Sequence, residues 1–204
     1  MTPDLDLVDD ADLDPVVAQA VRRLAVAGFR ALWSGRRVTL PELLGHDGAG
    51  LAEATEHLRA RGRIELSEAG ELVAVHGLAR RPTPHCIEHD GGAVNTWCAL
   101  DAIGIPAALA LDARARTGCP TCGVELTVAL RGGAPDPVPG AVLWYPEVHG
   151  GHLVNDFCTG ANLFCSLDHL ERLSAGGRGE GAVMTVEAVA TLGRKAWADV
   201  AEEA

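Results

Sequence analysis

The chain has 204 residues, enough to bury a substantial core as one domain or two small ones, and its 48% hydrophobic content includes no apolar run of bilayer-spanning length. Its net charge of −11 is front-loaded: Asp4, Asp6, Asp9, Asp10, Asp12 and Asp14 precede the first basic residue and leave −5 for the remainder. That acid-rich remainder argues against binding to nucleic acid phosphate or to an anionic membrane.

Residues 1–14 read as an acidic, disordered leader. They carry neither the basic start nor the apolar stretch of a secretory signal. Six cysteines without an export signal are expected to be thiols rather than disulfides, which implies a reducing, cytoplasmic location.

From Asp14-Pro15 the chain has a helix start, with Asp as N-cap and Pro at the first helical position. Val17, Val21, Leu24, Gly28 and Leu32 recur at helical spacing up to Gly35. Thr39-Leu40-Pro41-Glu42 spells a capping box for a short helix that Gly45 closes. A third helix is expected over residues 49–61, ended by Gly62. Residues 63–66 and 71–75 flank a turn and read as a hairpin. Three helices and a hairpin make a winged-helix-like layout over residues 15–80. Its eight basic and seven acidic residues between 15 and 76, with Glu53 and Glu56 on the would-be reading helix, favour a structural or substrate-covering role over DNA binding.

Arg80-Arg81-Pro82-Thr83-Pro84 marks the boundary to a second domain, residues 81–204. Short strands are expected at 85–89 and 93–95, followed by a helix capped by Asn95 or Thr96. That helix carries Cys98 in its first turn and Asp101, and Pro106 ends it. Strands near 113–116, 124–130, 141–145 and 163–166 follow, and Thr185 caps a final helix. The fold class is α+β, the second domain a mixed α/β unit with antiparallel strands.

Cys98 and Asp101 are three positions apart and so share a helix face. A helix N-terminus favours the thiolate. A second thiol brought in by the fold would complete a pair of soft sulfur ligands with a proton carrier beside them. That set suits a thiophilic metal whose bond to another group is broken by adding a proton. The plainer readings are a buried hydrophobic cysteine and a solvated helix aspartate. No phosphate-cradling glycine motif and no G-x-S-x-G nucleophile occur.

Trp97-Cys98-Ala99-Leu100-Asp101 and Phe157-Cys158 resemble the active-site segments of the organomercurial (alkylmercury) lyases. Between them, Ile105-Pro106-Ala107, Ala113-Arg114-Ala115, Gly118-Cys119 and Val124-Glu125-Leu126-Thr127-Val128 keep the family's order. The similarity covers residues 85–173 and extends in layout from residue 15, where the family carries a winged-helix-like domain. The resemblance implies protonolysis of a carbon–mercury bond to a hydrocarbon and Hg(II). Cys98 and Cys158 would be the mercury ligands and Asp101 the proton donor, itself within reach of the metal. Trp97, Leu100, Ile103 and Phe157 would supply an apolar lining that raises the acid's pKa. No organic cofactor is implied; small cytosolic thiols or a mercuric reductase would take the product. The rival readings are a metal-sensing winged-helix regulator, disfavoured by the charge balance, and a non-catalytic thiol metal carrier, disfavoured by Asp101.

Cys119-Pro120-Thr121-Cys122 is a compact knuckle that forms half of many zinc sites. No second Cys-x-x-Cys exists, so two further ligands would have to come from Cys86, Cys165 or a histidine such as His85 or His89. The family aligns a structural cysteine with Cys119, whereas Cys122 departs from its pattern. A buried structural Cys119 is therefore favoured over zinc, and purified protein is expected to hold no stoichiometric zinc. Thr159 is a further departure, since some members carry a cysteine there. His149 and His152, around Gly150-Gly151, read as a polar loop rather than a metal pair.

Overall fold

The computed structural model describes residues 12–45, 50–148, 151–174 and 179–202. Most of the expected acidic leader, and His149 with Gly150, lie outside these residues.

The first helix, α1 (Pro15–Trp33), begins where its cap requires: the Asp14 carboxylate accepts the Val16 N–H at 2.8 Å and Pro15 occupies the first turn. It buries Val17, Val21, Leu24 and Leu32. In α2 (Leu40–Leu44) the Thr39 N–H donates to Glu42 Oε2 at 2.6 Å, completing the capping box. The third helix, α3 (Leu51–Ala60), stops at Arg61 because Gly62 adopts φ +64°, a left-handed turn that a side chain would resist. Strands β1 (Ile64–Leu66) and β2 (Leu72–Val75) then pair as an antiparallel hairpin.

A two-residue strand, β3 (Leu78–Ala79), pairs on one edge with β2 and on the other with β5 (Gly92–Thr96). Adding β4 (Cys86–His89), β6 (Ala113–Gly118), β7 (Glu125–Arg131) and β8 (Ala134–Pro135) gives one sheet in the order β1-β2-β3-β5-β4-β6-β7-β8. Its registers Leu78 to Thr96 and Ala79 to Asn95 carry the sheet across residues 80 and 81.

Against this sheet lies α4 (Ala99–Ala108), in which every residue from Ala99 to Ala107 is buried. A helix apolar on all sides belongs at the centre of a core. Pro106 does not end it, contrary to expectation. The proline forfeits one backbone bond, yet the next turn still closes, with the Leu109 N–H donating to the Ile105 carbonyl at 3.0 Å. Burial on all sides outweighs the lost bond.

The second, smaller sheet has β9 (Val142–Pro146) between β10 (Leu163–Phe164) and β11 (Gly181–Met184). A π-helical turn, Leu153–Cys158, links β9 to β10. The strand expected at 163–166 is cut short because Ser166 caps α5 (Leu167–Ser174), its hydroxyl accepting the His169 N–H at 3.2 Å. Thr185 caps α6 (Val186–Ala196) as expected, and α7 (Ala198–Glu202) follows.

The crossing of α4 and α6 is glycine on glycine. A Cβ on Gly104 would come within 3.0 Å of the Gly193 Cα, and one on Gly193 would fall inside the Gly104 backbone. Because backbone stands in the way, no rotamer relieves the overlap. Gly193→Val is expected to destabilise by at least ~2 kcal/mol, the upper part of the range for overpacked cores. In a chain of this size that lowers the melting midpoint by roughly 4–8 °C. A parental midpoint in circular dichroism melts would show that the helices part freely.

Candidate active site

Cys98 is the N-cap of α4, two residues later in the chain than the Thr96 cap expected, with extended backbone dihedrals of φ −148° and ψ 176°. It sits where Ser or Thr usually caps a helix, and Asp101 plays the reciprocal partner of a capping box. The Cys98 N–H donates to Asp101 Oδ2 at 3.0 Å, and the Cys98 thiol lies 3.2 Å from the same oxygen. Thr96, expected as a cap, instead donates its hydroxyl to the Cys98 carbonyl at 3.1 Å.

Cys158 reaches this pair through three constraints. The Ala99 N–H, a free donor at the start of α4, bonds the Ala161 carbonyl at 3.1 Å. The Leu153 N–H bonds the Arg61 carbonyl at 2.8 Å, anchoring the start of the π-turn on the end of α3. Phe157 stacks edge-on against Tyr145, ring centres 5.0 Å apart, which fixes the residue before Cys158. The turn closes with a bond five residues back, from the Thr159 N–H to the Val154 carbonyl at 3.3 Å, a π-type geometry common at functional sites. The outcome is that Cys98 Sγ, Cys158 Sγ and an Asp101 oxygen all lie within 4.8 Å of one another.

All three groups are buried, Asp101 included, which is 5% exposed. Asp101 and Cys158 border a cavity of about 130 Å³ lined also by Arg63, His76, Gly77, Trp97, Leu100, Leu153, Phe157 and Trp197 among others. Cys98, fully buried, lies behind Cys158 and Asp101. A larger groove of about 770 Å³ on the outer side of α1 is lined by Arg22, Arg23 and Arg30 and offers no thiol or carboxylate.

Burial sets the protonation states. Asp101 rises to about 7 because it is desolvated, against the opposing pull of hydrogen bonds from the Cys98 thiol and the Cys98 and Trp97 N–H groups. The Cys98 thiol is pushed well above its ordinary range by burial, by its hydrogen bond with Cys158 and by the neighbouring Asp101 charge. For Cys158 the hydrogen bond from Cys98 lowers the pKa, but burial and the Asp101 charge outweigh it and the net shift is upward. The expectation of a helix-stabilised thiolate at Cys98 is thus corrected. The helix-end N–H from Asp101 does favour the anion, yet desolvation and a carboxylate three residues away dominate.

Of the expected lining, Trp97, Leu100 and Phe157 face the cavity, whereas Ile103 is buried in the core away from it. Sequence reasoning missed Arg63, His76 and Trp197. His76 sits at φ 51° in the β2–β3 turn, is driven to about 4 by burial and then by the Arg63 charge, and so stands neutral beside the acid. The Trp197 indole N–H holds that turn by donating to the His76 carbonyl at 3.0 Å. Gly77 follows at φ +91°, and a Cβ there would meet the Asp101 carboxyl at 3.1 Å. The single glycine after His76 was the available signal, and it reads as an ordinary turn.

The remaining candidates lie elsewhere. Cys119 is buried, as expected, and belongs to a separate cluster with Cys122, Cys165 and His169. Neither His85 nor His89 joins it: His85 Nδ1 lies 2.6 Å from the Thr117 hydroxyl, and His89 stacks on Trp33 at 4.4 Å. Cys86, half-buried on β4, belongs to neither thiol cluster. The Thr159 hydroxyl donates to the Asn155 carbonyl at 2.6 Å, within the π-turn.

A family model described as alkylmercury lyase matches residues 78–198. A protein named alkylmercury lyase from Pseudomonas putida is 36% identical over 118 residues, 56% of this chain and 52% of its own length. One of the same name from Streptomyces lividans is 36% identical over 102 residues, 49% of this chain and 47% of its own length. The chain thus spans about half the length of the curated relatives it matches. The crystal structure of the mercury-bound form of MerB2 superposes with a TM-score of 0.82 at 21% identity, covering 93% of this chain and 94% of that one, a likeness of fold.

Asp101 binds its proton more tightly folded than unfolded, where a carboxyl titrates near 3.8. Its contribution to stability is therefore fully present below about pH 4 and is lost as pH rises through about 7. Asp101→Asn removes this dependence. Denaturant midpoints of the parent are expected to fall relative to the variant between pH 4 and 7, and a constant difference would mean that Asp101 does not titrate there.

Proposed function

The chain belongs to the alkylmercury lyase family, and from that premise we propose that it cleaves carbon–mercury bonds by protonolysis at Cys98, Asp101 and Cys158. The observation that carries the reading is the close approach of two thiol sulfurs and a carboxyl oxygen, all within 4.8 Å, at an apolar-walled cavity. Two thiolates are the ligands a soft mercury centre prefers, and they push electron density toward its carbon.

At rest both thiols hold their protons. As mercury in R–Hg–X bonds to Cys158 and Cys98, each sulfur gives one up. One proton leaves with X as HX. The other passes from Cys98 to Asp101 across the 3.2 Å contact between them. Asp101, with a pKa of about 7, accepts it and then delivers it to carbon. The C–Hg electron pair goes to the new C–H bond, R–H departs, and Hg(II) stays on the two sulfurs. No organic cofactor enters this balance. Small cytosolic thiols, or a mercuric reductase, then remove the metal, in a cytoplasmic setting.

Residues 15–80 read as a winged-helix-like unit that covers substrate rather than one that reads nucleic acid. Arg63 and His76 line the cavity from that side, and the end of α3 holds the π-turn. No helix among the described residues is long and apolar enough to cross a membrane. A regulator would need a basic reading helix, and a simple thiol carrier has no use for a buried acid.

Incubation with phenylmercury and excess small thiol should release benzene. Cys98→Ser and Cys158→Ser should each abolish release while the melting profile stays folded, and parental turnover in either would remove the two-thiolate site. Asp101→Asn should retain the phenylmercury adduct in native mass spectrometry yet release benzene ~10²–10⁴-fold more slowly, the usual span for general acid catalysis. Normal cleavage by this variant would move the proton donor elsewhere.

A further inference from the structure

The knuckle Cys119–Cys122 closes the turn between β6 and β7, and the fold brings to it two donors that the sequence keeps more than forty residues away. Cys165 follows β10, and His169 lies one helical turn further on in α5, the i, i+4 spacing that puts both on one face. Their donor atoms, with those of Cys119 and Cys122, all lie within 4.8 Å of one another. We propose that Cys119, Cys122, Cys165 and His169 form a tetrahedral Zn(II) site that staples the β6–β7 turn to the segment leaving the active site.

The spacing fits that ion. With Zn–S ~2.3 Å and Zn–N ~2.0–2.1 Å, tetrahedral edges come to roughly 3.8 Å between sulfurs and roughly 3.6 Å between sulfur and nitrogen. Cys122 Sγ lies 3.8 Å from Cys165 Sγ, and Cys119 Sγ lies 3.7 Å from His169 Nδ1. Cys165 Sγ and His169 Nδ1 are closer, at 3.0 Å, a thiol–imidazole hydrogen bond whose proton the metal would displace. Four protein ligands with no open position are the signature of a structural zinc, and three thiolates with one imidazole are among its common sets.

The surroundings are those of a ligand shell. Backbone N–H groups of Cys165, Cys122 and Thr121 point at the Cys119 sulfur. The Gly123 N–H closes the knuckle on the Cys119 carbonyl at 2.8 Å, and the Cys119 N–H returns to the Val124 carbonyl at 2.9 Å. The Thr121 hydroxyl donates to the His169 carbonyl at 2.7 Å, holding α5 against the knuckle. Such outer contacts orient ligands and tune a bound metal.

The same region has only a small core of its own. Cys119, Trp144, Phe164 and Leu170 form a small cluster apart from the main one. Little apolar surface secures α5, and small units of this kind use metals as staples. The expectation that half a zinc site lacks its partner pair is thereby revised. The partners exist, but one is a histidine that no spacing rule links to the knuckle.

The test is metal analysis of the full chain, expressed with zinc available and purified without chelators. About one zinc per chain is expected, retained in the Cys98→Ser/Cys158→Ser variant and lost in Cys122→Ser/Cys165→Ser, whose melting midpoint should drop. Cobalt(II) added to zinc-stripped parent should give the intense visible bands of a tetrahedral thiolate site, a readout independent of whether any variant folds. Zinc-free parent that takes up no zinc on titration, zinc kept by Cys122→Ser/Cys165→Ser, or a Cys122–Cys165 disulfide in peptide mapping under reducing-free conditions would each overturn the proposal.

Discussion

The first N–H of α4, that of Ala99, is satisfied by the carbonyl of Ala161 rather than by water, and the geometry of the thiols depends on that exchange. A helix start leaves donors without internal partners, and a buried one has no solvent to supply them. The carbonyl that answers comes three residues after Cys158, so pairing the donor also delivers the second sulfur. The Asp101 carboxyl satisfies the neighbouring Cys98 N–H in the same way. Two groups poised for chemistry are thus held by bonds that the backbone needs in any case.

Desolvation then determines what these groups are before substrate arrives. Three ionisable side chains share one buried corner, where charges are expensive and like charges more so. The positive end of α4 does not offset this: the Asp101 N–H faces the Cys98 sulfur, but desolvation is the larger effect. The two thiols therefore rest as neutral acids, each able to release a proton when a soft cation takes its place, while Asp101, at about 7, can accept one and pass it on. Neutral His76 beside them adds no positive charge to bring Asp101 down.

Much of this was legible in the sequence where local chemistry decides. Asp14-Pro15, Thr39 with Glu42, Gly62 and Thr185 marked helix ends, because capping depends on a few adjacent residues. Cys98 and Asp101 were readable as neighbours for the same reason. What escaped depended on contacts between distant parts. Two-residue β3 has no periodicity to detect, yet it joins the hairpin to the rest of the sheet. Pro106 was read as a stop because its penalty is local while its compensation is tertiary. The π-turn and the His76-Gly77 corner carry no pattern that distinguishes them from loop. His169 was passed over because an imidazole four residues after a lone cysteine is unremarkable until the knuckle is placed beside it.

The cavity wall supplied by Trp197 has a consequence for how the protein is made. Cys98 emerges from the ribosome about a hundred residues before Trp197, whose indole holds the His76–Gly77 turn at the cavity. At roughly 5–20 residues per second the interval is on the order of 5–20 s. Through that window the Cys98 thiol lacks the wall that Trp197 supplies, and a soft metal ion or oxidant nearby meets it in water. In the finished protein both thiols are buried, so the exposure belongs to synthesis alone.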